Sequence, residues 1–329
     1  MRKVFITLGV FIGIIILIVI GAVCYFRIPV HDYYKNSEKA FVIPGLNDGF
    51  IAQGLSYDEA SDCFFITGYM NQKEASPVYV VNRTTGETVL KVQLADESSV
   101  PFVGHCGGLS VHGDYVYIAG GDDQCVYIYD RDEILNAQND AYVTCLGAFS
   151  TKLTEDDAIG VAFTTVYDGQ LIVGEFYRDP NYPTPDSHKM TTAGGDYQQA
   201  LAAAYDFSDA PDAVFGLNSR PTAVYSLPDL AQGMCIRNGK MYISTSYAIA
   251  FSHIYVYDMD ALSVGEFAEE FPLYYCDSQA LVEDMKLPPM SEEIQIVDGK
   301  IYTMCESASN KYIFGKLTGA KWCFATELE

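Results

Sequence analysis

The stretch "AQGMCIRNGKMYISTSY" (231–247) decides the fold, because it has a relative far upstream, "AQGLSYDEASDCFFITGY" (52–69). Both spell Ala-Gln-Gly, an apolar residue, a turn, a hydrophobic run, and then a small residue followed by Tyr. Alternating residues that break at Asn-Gly or an acidic bend and re-enter a run of Ile, Phe and Tyr read as a β-hairpin. Three more stretches share the plan: "HCGGLSVHGDYVYIAGGDD" from His105, "AIGVAFTTVYDGQLIVGEFYR" from Ala158 and "SEEIQIVDGKIYTMCESAS" from Ser291. With Gly54, Gly108, Gly160, Gly233 and Glu293 taken as equivalent, the spacings are 54, 52, 73 and 60 residues.

A third strand is expected after each hairpin: "PVYVVN", "CVYIYD", "AAAYDF", "HIYVYD" and "KYIFGK". Most end in Asp or Asn, whose side chain can start a tight turn. Fourth strands are expected at "TVLKVQL", "AYVTCLGAF", "TAVYSL" and "FPLYYC", and for the last repeat at "KAFVIPGL" or "KWCFATEL". Four antiparallel strands at this period are the signature of propeller blades, so the expected fold is all-β, a five-bladed β-propeller. Six blades is the alternative, since the 73-residue interval is long. Its excess includes "RDPNYPTPDSHKMTTAGGDYQQ" (178–199), whose Pro, Gly, Asp and Thr content reads as an inserted loop.

Ahead of the repeats, Val4 to Phe26 is 23 residues without a charge. A helix of that length spans roughly 35 Å against a hydrocarbon core of about 30 Å, so one transmembrane helix is expected. Arg2 and Lys3 precede it and the chain beyond is acidic, which orients the amino terminus to the cytoplasm and the rest outside. The expected organisation is a cytoplasmic stub and signal anchor at 1–27, a juxtamembrane linker at 28–40 and an extracellular propeller at 41–329. The membrane partner is engaged through residues 4–26, in a single-pass cell-membrane protein. A cleaved signal peptide is the alternative; the apolar run exceeds the usual h-region and no clear small-x-small site comes after it.

The formal charge is −23, and all 43 Asp and Glu lie beyond the apolar segment with no cluster of Lys and Arg, which excludes nucleic acid as a partner. Eight cysteines lie beyond the segment, none in a zinc-type C-x-x-C pair, and one or two disulfides are expected among them.

Propeller geometry brings the start of each first strand and the end of each second strand to one mouth of the channel. Gln53, His105, Gln232 and the Glu292–Glu293 pair come from the starts. Tyr69, Asp122, Glu175, Tyr177, Arg178, Ser246, Tyr247 and Glu306 come from the ends. Such a lining of amides, carboxylates and aromatic rings is the profile of a small-molecule site. The ligand-binding set is therefore Gln53, Tyr69, His105, Glu175, Arg178, Gln232, Ser246, Tyr247, Glu293 and Glu306, with the inserted loop as a lid. A structural role for Gln53, Gln232, Glu292 and Glu293, satisfying backbone groups around the ring, is the competing reading.

The series "AQGL…TGY", "HCGGLSV", "IVGEF", "AQGM…STSY" and "EEI" resembles that of a group of secreted or membrane-anchored bacterial β-propeller proteins. The chain is more loosely similar to gluconolactonase/regucalcin-like and NHL-type propellers. The lactonase resemblance implies a divalent cation such as Ca²⁺ in the channel on Glu175, Glu293 and Glu306, although that family's Asn ligands have no matching positions here.

Three functions are compatible with these residues. One is a module binding a small polar or peptide-like ligand at the mouth. Another is a metal-assisted hydrolase or lyase with His105, Glu175 and Glu306 as catalytic candidates. The third is a protein-interaction scaffold. No G-x-S-x-G, H-E-x-x-H or Gly-rich phosphate loop is present.

Overall fold

The computed structural model describes residues 2–120 and 123–328. Five antiparallel sheets stand around an axis. Blade 1 is built from Phe50–Asp58, Cys63–Met70, Pro77–Asn82 and Thr88–Ala95. Blade 2 is Leu109–His112, Tyr115–Ala119, Cys125–Asp130 and Gly147–Ser150. Blade 3 is Phe163–Tyr167, Gln170–Gly174, Ala200–Asp206 and Ala223–Leu227. Blade 4 is Ala231–Arg237, Lys240–Thr245, Ser252–Asp258 and Leu281–Leu287, and blade 5 is Ser291–Val297, Lys300–Cys305, Trp322–Glu327 and Ser37–Val42. The innermost strands adjoin in chain order, and that of blade 5 closes on that of blade 1. The ring therefore has five blades.

Each blade is covered on both faces, which explains continuous apolar runs where a one-sided sheet would alternate with polar residues. In "CFFITGY" the alternation sorts neighbours instead: Phe65 packs toward blade 2 with Val80, Leu109 and Val116, whereas Phe64 and Ile66 pack toward blade 5 with Met304 and Ala325. Similar apolar clusters fill the other interfaces between successive blades.

Several outer strands depart from the sequence expectation. "AYVTCLGAF" is split: Tyr142–Thr144 joins the outer edge of blade 1 in parallel, and only Gly147–Ser150 belongs to blade 2. "FPLYYC" does not complete blade 4. Phe271–Tyr275 forms a hairpin with Ser263–Phe267 and adds in parallel to the outer strand of blade 3, where Phe267, Phe271 and Leu273 are buried beside Phe149 and Tyr205. These additions cover edges that would otherwise present unpaired backbone groups.

"KYIFGK" is not a strand but a turn leading into the short helix Gly315–Thr318, which ends at Gly319 in the left-handed conformation (φ 82°). Its place in the sheet is taken by Trp322–Glu327, with Ser37–Val42 outside it, so both proposed closing segments are used and the two ends of the domain share one blade.

The amino-terminal helix runs from Arg2 to Arg27 and is the one described helix long and apolar enough to cross a membrane. The segment beyond Arg27 is packed against the propeller and is not a free linker. Residues 28–35 are helical, with Val30 and Tyr33 buried among Cys235, Ile254 and Phe324, and the strand of blade 5 already begins at Ser37. The expected disulfides are absent: all nine cysteines are free thiols, most of them buried core residues.

Candidate functional site

The repeated Ala-Gln-Gly is a bulge. Ala52 pairs with Gly68 and Gly54 with Thr67, so Gln53 is the extra residue; Ala231 pairs with Thr245 and Gly233 with Ser244, which leaves Gln232 over. In blade 5 the register jumps from Ser291↔Cys305 to Ile294↔Thr303 and leaves out Glu292 and Glu293. A bulged residue escapes the ladder and its side chain is re-aimed. Gln53, Gln232 and Glu292 all line the mouth of the channel.

Glu293 occupies the ring position that Gly54 and Gly233 hold in their blades. Its side chain lies below the mouth, at the channel axis. Oε2 accepts the backbone N–H of Leu55 (2.6 Å) and of Leu109 (2.9 Å), and Oε1 that of Thr164 (3.2 Å). One carboxylate thus ties blades 1, 2 and 3 to blade 5. The glycines make room for it: a Cβ on Gly108 would meet Glu293 Oε1 at 2.5 Å, and one on Gly233 would meet Glu293 Cα at 2.6 Å. Burial pushes the Glu293 carboxyl well up, against the pull of its three N–H donors. Gly160, expected as the counterpart in blade 3, faces open space; the residue before the bonded Thr164 is Phe163.

Above this plug lies a cavity of about 810 Å³ to which all five blades contribute. Of the expected set, Gln53, Tyr69, His105, Glu175, Gln232, Ser246, Tyr247 and Glu306 line it. Glu293 does not, being the plug. Arg178 stands outside the lining, with its guanidinium 3.8 Å from the centre of the Tyr247 ring. Tyr177 is buried in the core instead, and Asp122 falls outside the described residues.

Two polar groupings organise the cavity. On the blade 1–5 side, Glu306 Oε1 accepts from Tyr69 Oη (2.9 Å) and Tyr312 Oη (2.5 Å), and Lys311 Nζ donates to Tyr69 Oη (2.7 Å). The His105 ring sits 4.8 Å from that of Tyr69. Beneath them, beside Glu306, is Glu292, only 1 % exposed, whose Oε1 finds no hydrogen-bond partner among the described residues. Burial and then the charge of Glu306 hold the Glu292 carboxyl well above the usual carboxylate range.

On the blade 3 side, Glu175 Oε1 accepts the Leu201 N–H (2.8 Å) and lies 2.8 Å from His188 Nδ1; His188 Nε2 in turn lies 2.9 Å from Asp157 Oδ1. The His188 imidazole is fully buried. Burial alone would lower its pKa, but Glu175 and Asp157 together raise it; burial raises that of Glu175. His188, within the inserted loop, carried no signal in sequence; Asp157 stands in the acidic stretch Glu155–Asp157, which reads as a solvated turn or an addition to a cation site and not as the partner of a buried imidazole. The same loop supplies residues 181–185 to the cavity wall.

The expected metal set does not form. Glu175, Glu293 and Glu306 are each engaged by separate donors, and among the described residues no three His, Cys, Asp or Glu side chains are grouped to hold a metal ion. Ca²⁺ asks for six to eight oxygens about one point, which this arrangement does not offer.

No family model matches the chain, and no curated protein matches it. Among solved structures it is similar to the glutaminyl cyclase of Myxococcus xanthus, at 11% identity over 89% of this chain and 95% of that one, with a TM-score of 0.45. It is also similar to BamB from Moraxella catarrhalis, at 8% identity over 78% and 82% of the two chains (TM-score 0.34). A putative oxidoreductase (glucose dehydrogenase) from Thermus thermophilus matches at 11% identity over 84% and 95% (TM-score 0.38). These neighbours are β-propellers of varied function, and no ligand or activity is carried over from them.

Proposed function

We propose that the protein is a binding module, held at the outer face of a membrane by its amino-terminal helix, that takes a small polar ligand bearing an N–H or O–H donor into the mouth of the propeller. The observation that carries this reading is Glu292 Oε1, buried at the cavity floor without a hydrogen-bond partner among the described residues. A buried acceptor left unmade costs about 1–3 kcal/mol, and a ligand that supplies the donor recovers it. Aromatic walls at Tyr69, Tyr247, Tyr312 and Phe314 favour a ligand with an apolar or cationic body, an amine above all.

The test is a melting-temperature screen of the full chain against small amines, amides, polyols and dipeptides, run in parallel on Glu292→Met. At least one class stabilises the wild type and leaves Glu292→Met unmoved. A stabilisation that survives in Glu292→Met, or no stabilisation by any class, overturns the reading.

A hydrolase or lyase is the second reading, favoured by one observation: Glu292 and Glu306 both line the cavity, and burial with the neighbouring Glu306 raises the Glu292 carboxyl, the kind of perturbed pair that acid–base chemistry uses. Turnover of any substrate in a hydrolase and lyase panel, abolished in Glu292→Gln, would establish it.

A further inference from the structure

The chain carries 43 Asp and Glu against 20 Lys and Arg, yet one large cleft has the opposite balance. This cleft, about 1230 Å³, lies between the end of the amino-terminal helix and blade 5. Four cations line it, Arg27, Lys39, Lys316 and Lys321, against a single carboxylate, Asp48. Several cations elsewhere are paired with carboxylates, Arg83 with Asp62 and Asp298, Arg131 with Asp58, Lys91 with Asp140 and Lys300 with Glu38 and Glu327; what sets this cleft apart is that four cations share one opening with a single carboxylate. None of the four in the cleft takes part in a salt bridge among the described residues.

They are held by neutral partners instead. Arg27 Nε donates to the Leu317 carbonyl (3.1 Å) and Lys316 Nζ to Asn310 Oδ1 (2.5 Å). The ammonium groups of Lys39 and Lys321 stand 5.4 and 5.5 Å from the centre of the Trp322 ring. In a protein with a surplus of carboxylates, four unneutralised cations around one opening make a site for a polyvalent anion.

Position identifies the source of that anion. Arg27 is the last residue of the apolar helix, and the helix end is fastened to the propeller: Phe26 stacks on Phe314 at 5.8 Å and Tyr25 meets Phe251 at 5.9 Å. The cleft is thus fixed where the helix leaves the hydrocarbon, the depth at which phosphate headgroups lie and at which Trp and basic side chains concentrate. We propose that the cleft binds the headgroup phosphate of an anionic phospholipid from the membrane that holds the helix, which sets the propeller against the bilayer surface. This rests on the reading that the helix spans the membrane.

The experiment uses the full chain in nanodiscs of phosphatidylcholine, with and without phosphatidylglycerol, and reads hydrogen exchange over 39–48 and 315–322. Phosphatidylglycerol slows exchange in both segments, by roughly fivefold for each cation engaged, and the slowing is lost in the triple variant Lys39→Gln, Lys316→Gln, Lys321→Gln but kept in Lys300→Gln. If the triple variant melts below the wild type in phosphatidylcholine, the single Lys321→Gln carries the same comparison. Equal exchange in the two lipids, or retention of the effect in the variants, overturns the proposal. Equal protection by inorganic phosphate in phosphatidylcholine discs also overturns it, by making the ligand a free anion. A chain that an alkaline wash strips from the discs overturns the spanning helix itself, and the headgroup site with it, an outcome separable from the others.

Discussion

His188 Nδ1 stands 2.8 Å from Glu175 Oε1, so the inserted loop is pinned to the end of a channel strand by a fully buried contact. The contact is pH-sensitive in one direction. His188 has its pKa raised by Glu175 and Asp157 in the fold, so the stability it contributes is fully present below the ordinary histidine value and is lost as pH rises through the folded one. Glu175, raised by burial, acts with the same sign. Hydrogen exchange over 178–199, corrected for intrinsic rates, should therefore lose protection on going from about pH 6 to pH 9, by up to about tenfold per unit. His188→Asn should flatten that profile; a profile unchanged by the substitution would show that the loop is held by something else.

Glu293 serves three N–H donors with two carboxylate oxygens, and no amide can do the same. In Glu293→Gln one oxygen becomes an NH₂ facing a backbone donor. Loss of at least one buried bond together with that repulsion should cost about 3 kcal/mol. For a chain of this size the melting temperature should fall by roughly 6–12 °C. A shift under a degree would remove Glu293 from its role as the tie between blades.

Glycines near the axis are not interchangeable. An added methyl at Gly108 or Gly233 meets the Glu293 side chain or backbone, whereas at Gly160 nothing stands within 4 Å. Gly108→Ala and Gly233→Ala should each destabilise by about 1–3 kcal/mol, while Gly160→Ala should stay within about 0.5 kcal/mol of the wild type. Comparable losses at all three positions would contradict the packing described.

Glu292 should trade stability for ligand. Its buried, half-satisfied carboxyl is replaced in Glu292→Met by an apolar side chain of similar length. The variant should therefore denature at a higher urea concentration, with a gain of about 1–3 kcal/mol, even as it stops responding to the ligand. A destabilised Glu292→Met would mean that the carboxyl is a structural strut.

Much of the propeller was legible along the chain because each hairpin is local: Asn-Gly or an acidic bend between apolar runs forms wherever it is placed, and five copies at a blade-like period leave few other folds. The convergence of Gln53, Tyr69, Gln232 and Glu306 on one mouth came from that topology alone. Outer strands were less legible, because Tyr142–Thr144 and Phe271–Tyr275 choose a neighbouring blade through side-chain burial between sheets, and local pattern carries no record of it.

What the chain by itself determined, then, is the apolar helix, the repeated hairpin and the faces on which its polar ends emerge, all set by short-range sterics and hydrophobic period. Only the tertiary structure decided that Glu293 becomes a plug while Glu292, its neighbour, becomes a site, that His188 in a polar loop is buried between two carboxylates, and that four lysines and arginines from distant segments share one cleft. Those outcomes depend on a register shift, on a loop folding back and on the closure of the ring, each of which brings together residues that have no reason in sequence to meet.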